Sequence, residues 1–176
     1  MLLQSYIQSW SGFAVRHIPE EPYEIYDFSR CGLGSENCWN VAGEPTLYLA
    51  KERDVALAEF ARHMTVDRTE SLVKKVRRRK VYRFEVSLDN ILDLCRLEVC
   101  QALSLLDVPN CFLDKDIARA TARFIRKTTV VQAIKVPSVA FLDNLEQWCL
   151  VVFLEKLPPD SRQVLPSVAE DGFFDV

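Results

Sequence analysis

Only two histidines and five glycines occur among these 176 residues, and the six cysteines form no C-x-x-C pair. Each shortage closes a route to function. Structural zinc sites gather thiolates and imidazoles at short spacing. Cys31, Cys38, Cys95, Cys100, Cys111 and Cys149, with His17 and His63, offer no such cluster, so no metal is expected. There is no phosphate-cradling glycine loop, no G-x-S-x-G elbow and no H-E-x-x-H pair. A serine hydrolase would have to draw its base from His17 or His63, and neither stands in a recognisable frame.

Long apolar runs are missing too, so no membrane span is expected. The opening stretch from Met1 to Phe13 lacks a basic region and a clear cleavage site. A cytoplasmic location follows, with the thiols reduced, and Cys95, Cys100 and Cys149 acting as small hydrophobes among leucines and valines. A net charge of −3 gives no reason to expect nucleic acid as a partner. One basic run, Lys74, Lys75, Arg77, Arg78, Arg79 and Lys80, reads as a solvated face.

What is present suits one globular domain over residues 1–176, since 49% of the chain is apolar and only 27% charged. Gly12 to Ile18, Thr46 to Ala50 and Val81 to Val86 read as strands, as do the β-branched runs Val130 to Ile134 and Cys149 to Leu154. Phe173 to Val176 is expected at a sheet edge. Apolar spacing predicts helices over Glu52 to Met64, Leu97 to Leu106 and Asp114 to Arg126, the last capped by Asp114 or Asp116. The segments from Pro19 to Pro45 and from Asp67 to Lys80 lack periodicity; the first is a long irregular connection of the kind that carries function. Strands and helices intermix without regular β-α-β alternation. The expected class is therefore α+β, a single domain whose mixed, mostly antiparallel β core is flanked by helices.

Five pieces recur in a telling order. V-R-H stands at 15–17, and C-G-L-G-S-E-N-C-W-N runs from Cys31 to Asn40. L-Y-L-A follows at 47–50, A-L-A-E at 56–59, and V-P-S-V at 136–139 with Asn144-Leu145 beyond. The chain ends on G-F-F-D from Gly172 to Asp175. Together they resemble the RES domain, a family named for its arginine, glutamate and serine, and the likeness covers nearly the whole chain. One departure stands out: the family's loop arginine before the tryptophan is here Cys38, with Glu36 and Asn37 ahead of it. His17 stands where some members carry tyrosine.

The resemblance implies a fold like that of ADP-ribosylating toxins and an activity that consumes NAD as substrate, with no cofactor. The bond between nicotinamide and ribose would be cleaved and ADP-ribose passed to water or inorganic phosphate. It also implies a cognate antitoxin as partner. The residues suit that chemistry. Arg16 can give a diphosphate two parallel charge-assisted hydrogen bonds. Glu59 can stabilise the oxocarbenium charge that builds on the ribose. Tyr48 offers an aromatic face and a hydroxyl. Ser138 can bind a hydroxyl or phosphate, Trp39 is a core anchor and Asn40 orders the loop as supporting residues of the binding site, and His17 is a candidate stand-in for the loop arginine. Two other readings remain open: a protein ADP-ribosyltransferase using the same site, and a catalytically inactive RES-like binding module.

Overall fold

The longest strand ties the molecule together. In the computed structural model, which describes residues 2–20, 24–34, 36–66 and 78–175, strand β3 runs over Arg78–Asp93. One of its edges is covered by β1 (Gln8–Pro19), antiparallel from Gln8↔Ile91 to Pro19↔Arg79. Its other edge is shared: β6 (Ser167–Asp175) takes the first half, antiparallel. Strand β4 (Ala133–Pro137) takes the end, parallel at Ile91↔Ala133 to Asp93↔Lys135. Strand β5 (Trp148–Phe153) then adds to β4, and β2 (Thr46–Ala50) to β5, both antiparallel. The sheet thus has two halves that share β3, giving the order β1-β2-β5-β4-β3-β6 with β1 also on β3. The class is α+β with a mostly antiparallel sheet.

Burial explains the strand types. On β3, Phe84, Val86 and Leu88 are buried and alternate with exposed residues, as a half-covered strand should. From Ile91 to Asp93 every residue is buried, because there the strand enters the centre of the sheet. Ser87, Asp89 and Asn90 hid this continuation from the sequence reading, which ended the strand at Val86. Strand β4 begins at Ala133 rather than Val130, which is 57% exposed. The register with β3, not β-propensity, sets that start.

Three α-helices among the described residues flank the sheet. Helix α1 (Arg53–Val66) buries Val55 and Ala56 against Val15, Val81 and Phe174. Helix α2 is shorter than its leucine spacing predicts, spanning Leu97–Ala102. The Leu105 amide bonds back to the Cys100 carbonyl at 3.0 Å and the Ser104 amide to that of Gln101 at 2.9 Å, with Ser104 at φ 58°. That left-handed closure ends the helix, and Leu106 beyond it is exposed. Helix α3 (Lys115–Thr128) turns Ala118, Thr121, Ala122 and Ile125 inward, an i, i+3, i+4, i+7 stripe. Its core partners include Trp39, Phe112, Ile134 and Phe153.

No helix among the described residues is long and apolar enough to cross a membrane. All six cysteines are free. Lys74, Lys75 and Arg77 of the basic run lie outside the described residues, as does the predicted connection up to residue 77. Of the two candidate caps on α3, Asp114 makes the bonds: its Oδ1 accepts from the Asp116 and Ile117 amides at 2.8 and 3.4 Å. Asp114→Ala is expected to lower stability by about 1 kcal/mol in urea denaturation, with no change in the slope of the transition.

Candidate active site

Strands β1 and β2 meet in a single residue pair, Val15↔Ala50, and then part. Beyond it Arg16 and His17 follow β3, pairing with Tyr82 and Val81, while Thr46 to Leu49 follow β5. A cleft of about 480 Å³ opens between the parting strands. Because it lies along the strand edges, side chains from both faces of β1 reach it, Arg16 as well as His17. Helix α1 forms one wall with Ala56, Glu59, Phe60 and His63, again an i, i+3, i+4, i+7 stripe. The irregular segment before β2 forms another with Cys31, Gly32, Asn37, Cys38 and Trp39.

Glu59 is seated from across the molecule. Its Oε1 accepts from the Ser138 hydroxyl at 2.5 Å and from the Ala140 amide at 3.1 Å. Ser138 directly follows β4 and is 1% exposed. Its hydroxyl is therefore spent on the glutamate rather than open to a ligand. Cys149 of β5 lies close by, and burial first, then the Glu59 charge, push its thiol well above the ordinary range.

Tyr48 is likewise engaged. Its hydroxyl donates to Asn40 Oδ1 at 2.9 Å and accepts from the Trp39 amide at 3.1 Å. Burial raises the phenol's pKa, so it stays a neutral donor, and its ring is what the cleft receives. Asn40 is fully buried and completes the link: its Nδ2 donates to the Gly32 and Val41 carbonyls at 3.2 and 2.9 Å. Trp39 is 4% exposed and packs on Phe112, ring centroids 4.9 Å apart. The Trp39-Asn40 pair thus clamps the loop to β2 and to the core below. Gly32 sits at φ +75°, where a Cβ would meet the Glu44 carbonyl and lie 2.7 Å from the Thr46 amide.

The loop is also held from beneath. Glu44 accepts from the Val41 amide at 3.1 Å and from Arg123 at 3.0 Å. Buried Arg126 donates to the Thr46 hydroxyl at 2.7 Å and lies 3.8 Å from Glu44.

Cations line the opposite side. Arg16 donates to the Cys31 sulfur at 3.1 Å, so among the described residues its hydrogen-bond partner is a thiol. His17 is no cation. Burial first, then the Arg79 and Arg16 charges, bring its pKa down to about 3, and its Nδ1 accepts from Arg79 Nε at 2.6 Å. Arg79 itself lines the cleft, stacked 4.5 Å over Phe60. Sequence reasoning missed it, having read the basic run as solvated. Only the β1–β3 register, which places Arg79 opposite Pro19, shows where it lies. The geometry therefore gathers Arg16, His17, Trp39, Tyr48 and Glu59 around one cleft, with Ser138 and Asn40 as the residues that fix Glu59 and Tyr48.

A sequence model of the family described as RES domain matches residues 14–173. No curated protein matches the chain. Among solved structures, one chain of the M. tuberculosis MbcT-MbcA toxin-antitoxin complex superposes with a TM-score of 0.66 at 17% identity, over 97% of this chain and 86% of that one. At that identity the likeness shows the fold alone.

Gly32→Ala is expected to lower stability by roughly 2 kcal/mol or more, read as a lower melting temperature, because the loop must shift off β2. The folded state keeps His17 neutral while the unfolded state protonates it below about pH 6.5. Stability from this site is whole above that pH and falls as pH drops toward 3. Between pH 7.5 and 5 the loss is expected to be roughly 1 to 2 kcal/mol. Denaturant titrations at the two pH values should show His17→Gln, which keeps an acceptor for Arg79, spared that part of the loss.

Proposed function

The chain belongs to the RES-domain family, and from that premise we propose that it is a toxin that destroys NAD by cleaving the nicotinamide–ribose bond. The observation that carries this reading is the seated Glu59 carboxylate, facing into a cleft that also holds Arg16 and the Tyr48 ring. Both hydrogen bonds fall on Oε1, which leaves Oε2 as the oxygen available to a ligand.

The chemistry follows from that placement. When the C1′–N bond breaks, its electron pair goes to the nicotinamide ring, which leaves neutral, and positive charge builds on the ribose. A fixed carboxylate beside C1′ stabilises that charge without having to reorganise. Arg16 would grip the diphosphate, and the Tyr48 ring would face the nicotinamide. The strand edges that part below Val15 and Ala50 provide backbone N–H and C=O groups, the complement of a carboxamide. Water or inorganic phosphate then attacks C1′ through oxygen and gives up its proton, yielding ADP-ribose or its phosphate ester. Asn40 and Trp39 act indirectly, by holding Tyr48 and the loop.

An activity that drains NAD must be held in check in its own cell. The similar fold was solved in a toxin-antitoxin complex, which supports a cognate antitoxin as partner; in this reading that partner covers the cleft. The same site would serve a protein acceptor, so products separate the readings. Purified protein incubated with NAD is expected to release nicotinamide, and added phosphate to shift the product from ADP-ribose to its phosphate ester. Glu59→Gln should slow release by at least about a hundredfold. Release by that variant near the wild-type rate would sink the assignment of Glu59, and label appearing on protein instead would move the reading to a transferase.

A further inference from the structure

Cys31 bridges the gap that separates β1 from β2. Its carbonyl accepts from the Thr46 amide at 3.1 Å, at the start of β2, while its thiol accepts from Arg16 of β1, also at 3.1 Å. Its own amide donates to the Phe28 carbonyl at 2.9 Å, which closes a turn over residues 28–31. The next residue, Gly32, lies at φ +75° against the Glu44 and Thr46 backbone, and its carbonyl accepts from Asn40. Backbone on both sides thus holds the thiol in place among the groups that line the cleft.

The same turn brings an aromatic face to the arginine. The Arg16 Cζ lies 5.4 Å from the Phe28 ring centroid, within the range at which a ring attracts a guanidinium. Phe28 meets Tyr26 edge-on, and Tyr26 is tied to the body of the molecule by its contact with Phe84 and its bond to the Leu165 carbonyl. The Asp27 carboxylate stands within electrostatic range of Arg16, but it is exposed and accepts from the Ser29 amide at 2.9 Å.

Burial holds the Cys31 thiol above its ordinary pKa against the opposing pull of the Arg16 charge, so it stays protonated at neutral pH. A thiol accepts a hydrogen bond weakly and carries no charge. It fixes the direction of a guanidinium without cancelling it. A carboxylate in the same place would form a bidentate ion pair and occupy the fork that an anion needs.

We propose that Cys31 is the positioning residue of Arg16, a seat tethered to β2 that aims the guanidinium across the gap and leaves its fork to an anionic ligand. The proposal rests on the NAD reading for the identity of that ligand, a diphosphate, and concerns how it is held rather than how the bond is cut.

Calorimetric titration with ADP-ribose tests this without requiring turnover. Cys31→Ala is expected to weaken binding about 5- to 10-fold, the scale of one lost hydrogen bond. Cys31→Ser, which keeps an acceptor on the same backbone, should stay within about twofold of the wild type. Cys31→Asp, which offers Arg16 a competing carboxylate, should weaken binding about 10- to 100-fold. Asp27→Asn should shift affinity by less than about twofold, because an exposed charge is screened. In an Arg16→Gln background, Cys31→Ala should cost no more than about twofold, since the seat acts only through the guanidinium. A change that merely loosened the loop would cost the same in both backgrounds.

Equal losses in the two backgrounds overturn the proposal, as does wild-type affinity in folded Cys31→Asp. Should Cys31→Ala fail to fold, equal affinity of Cys31→Ser and Cys31→Asp overturns it instead. The NAD reading fails separately: ADP-ribose binding that depends on Arg16 and Cys31, with no nicotinamide release, sinks the cleavage activity and sustains the seat. A wild-type protein that does not bind ADP-ribose overturns both.

Discussion

The parting of β1 from β2 after one residue pair governs the rest of the molecule. Each strand is committed elsewhere, β1 to β3 along its whole length and β2 to β5. Neither can follow the other without breaking a ladder of backbone hydrogen bonds. The result is a permanent gap between two strand edges. Such edges would ordinarily invite pairing with another chain. Here α1 and the segment before β2 roof the gap instead, so the unpaired edges become the floor of a site.

A gap of this kind is useful only if its walls hold still, and two polar networks do that work. On one wall a fully buried asparagine couples Tyr48 to the Gly32 backbone, while Glu44 and Arg126 brace the same loop from the α3 side. On the other, Ser138 and the Ala140 amide fix the Glu59 carboxylate. Both networks join residues remote in sequence, and both spend side chains that would otherwise face a ligand. The side chains that open to the cleft and the side chains that aim them are thereby different sets. Tyr48 and Glu59 belong to the first, Asn40 and Ser138 to the second.

Much of this was legible in the sequence where local physics decides. Strand β2 is short, apolar and bounded by Pro45, and its ends match expectation. Apolar spacing announces α1, and residue type narrows the α3 cap to Asp114 or Asp116, of which the structure uses the first. Legibility failed where a partner decides. Ser87, Asp89 and Asn90 break the apolar alternation yet lie in the strand, because β1 pairs with Ser87 and Leu88 and again with Ile91. Leu105 and Leu106 continue a helical pattern that backbone closure at Ser104 has already ended. Arg79 sits in a run of like charges that reads as solvent-facing, and only the β1–β3 register brings it to the cleft. His17 could be read as a replacement cation from its type, yet burial and then its two arginine neighbours keep it uncharged.

The seating of Glu59 carries a consequence for how such a protein is made. The glutamate lies in the first half of the chain, but the groups that hold it, Ser138 and Ala140, are synthesised about eighty residues later, and the strand behind them, Trp148–Phe153, later still. Domains acquire their long-range contacts only after the participating segments have left the ribosome. A growing chain that has not yet exposed these segments cannot possess the aligned carboxylate, so the candidate site comes into being only after the segment carrying Ser138 and Ala140 has folded against α1.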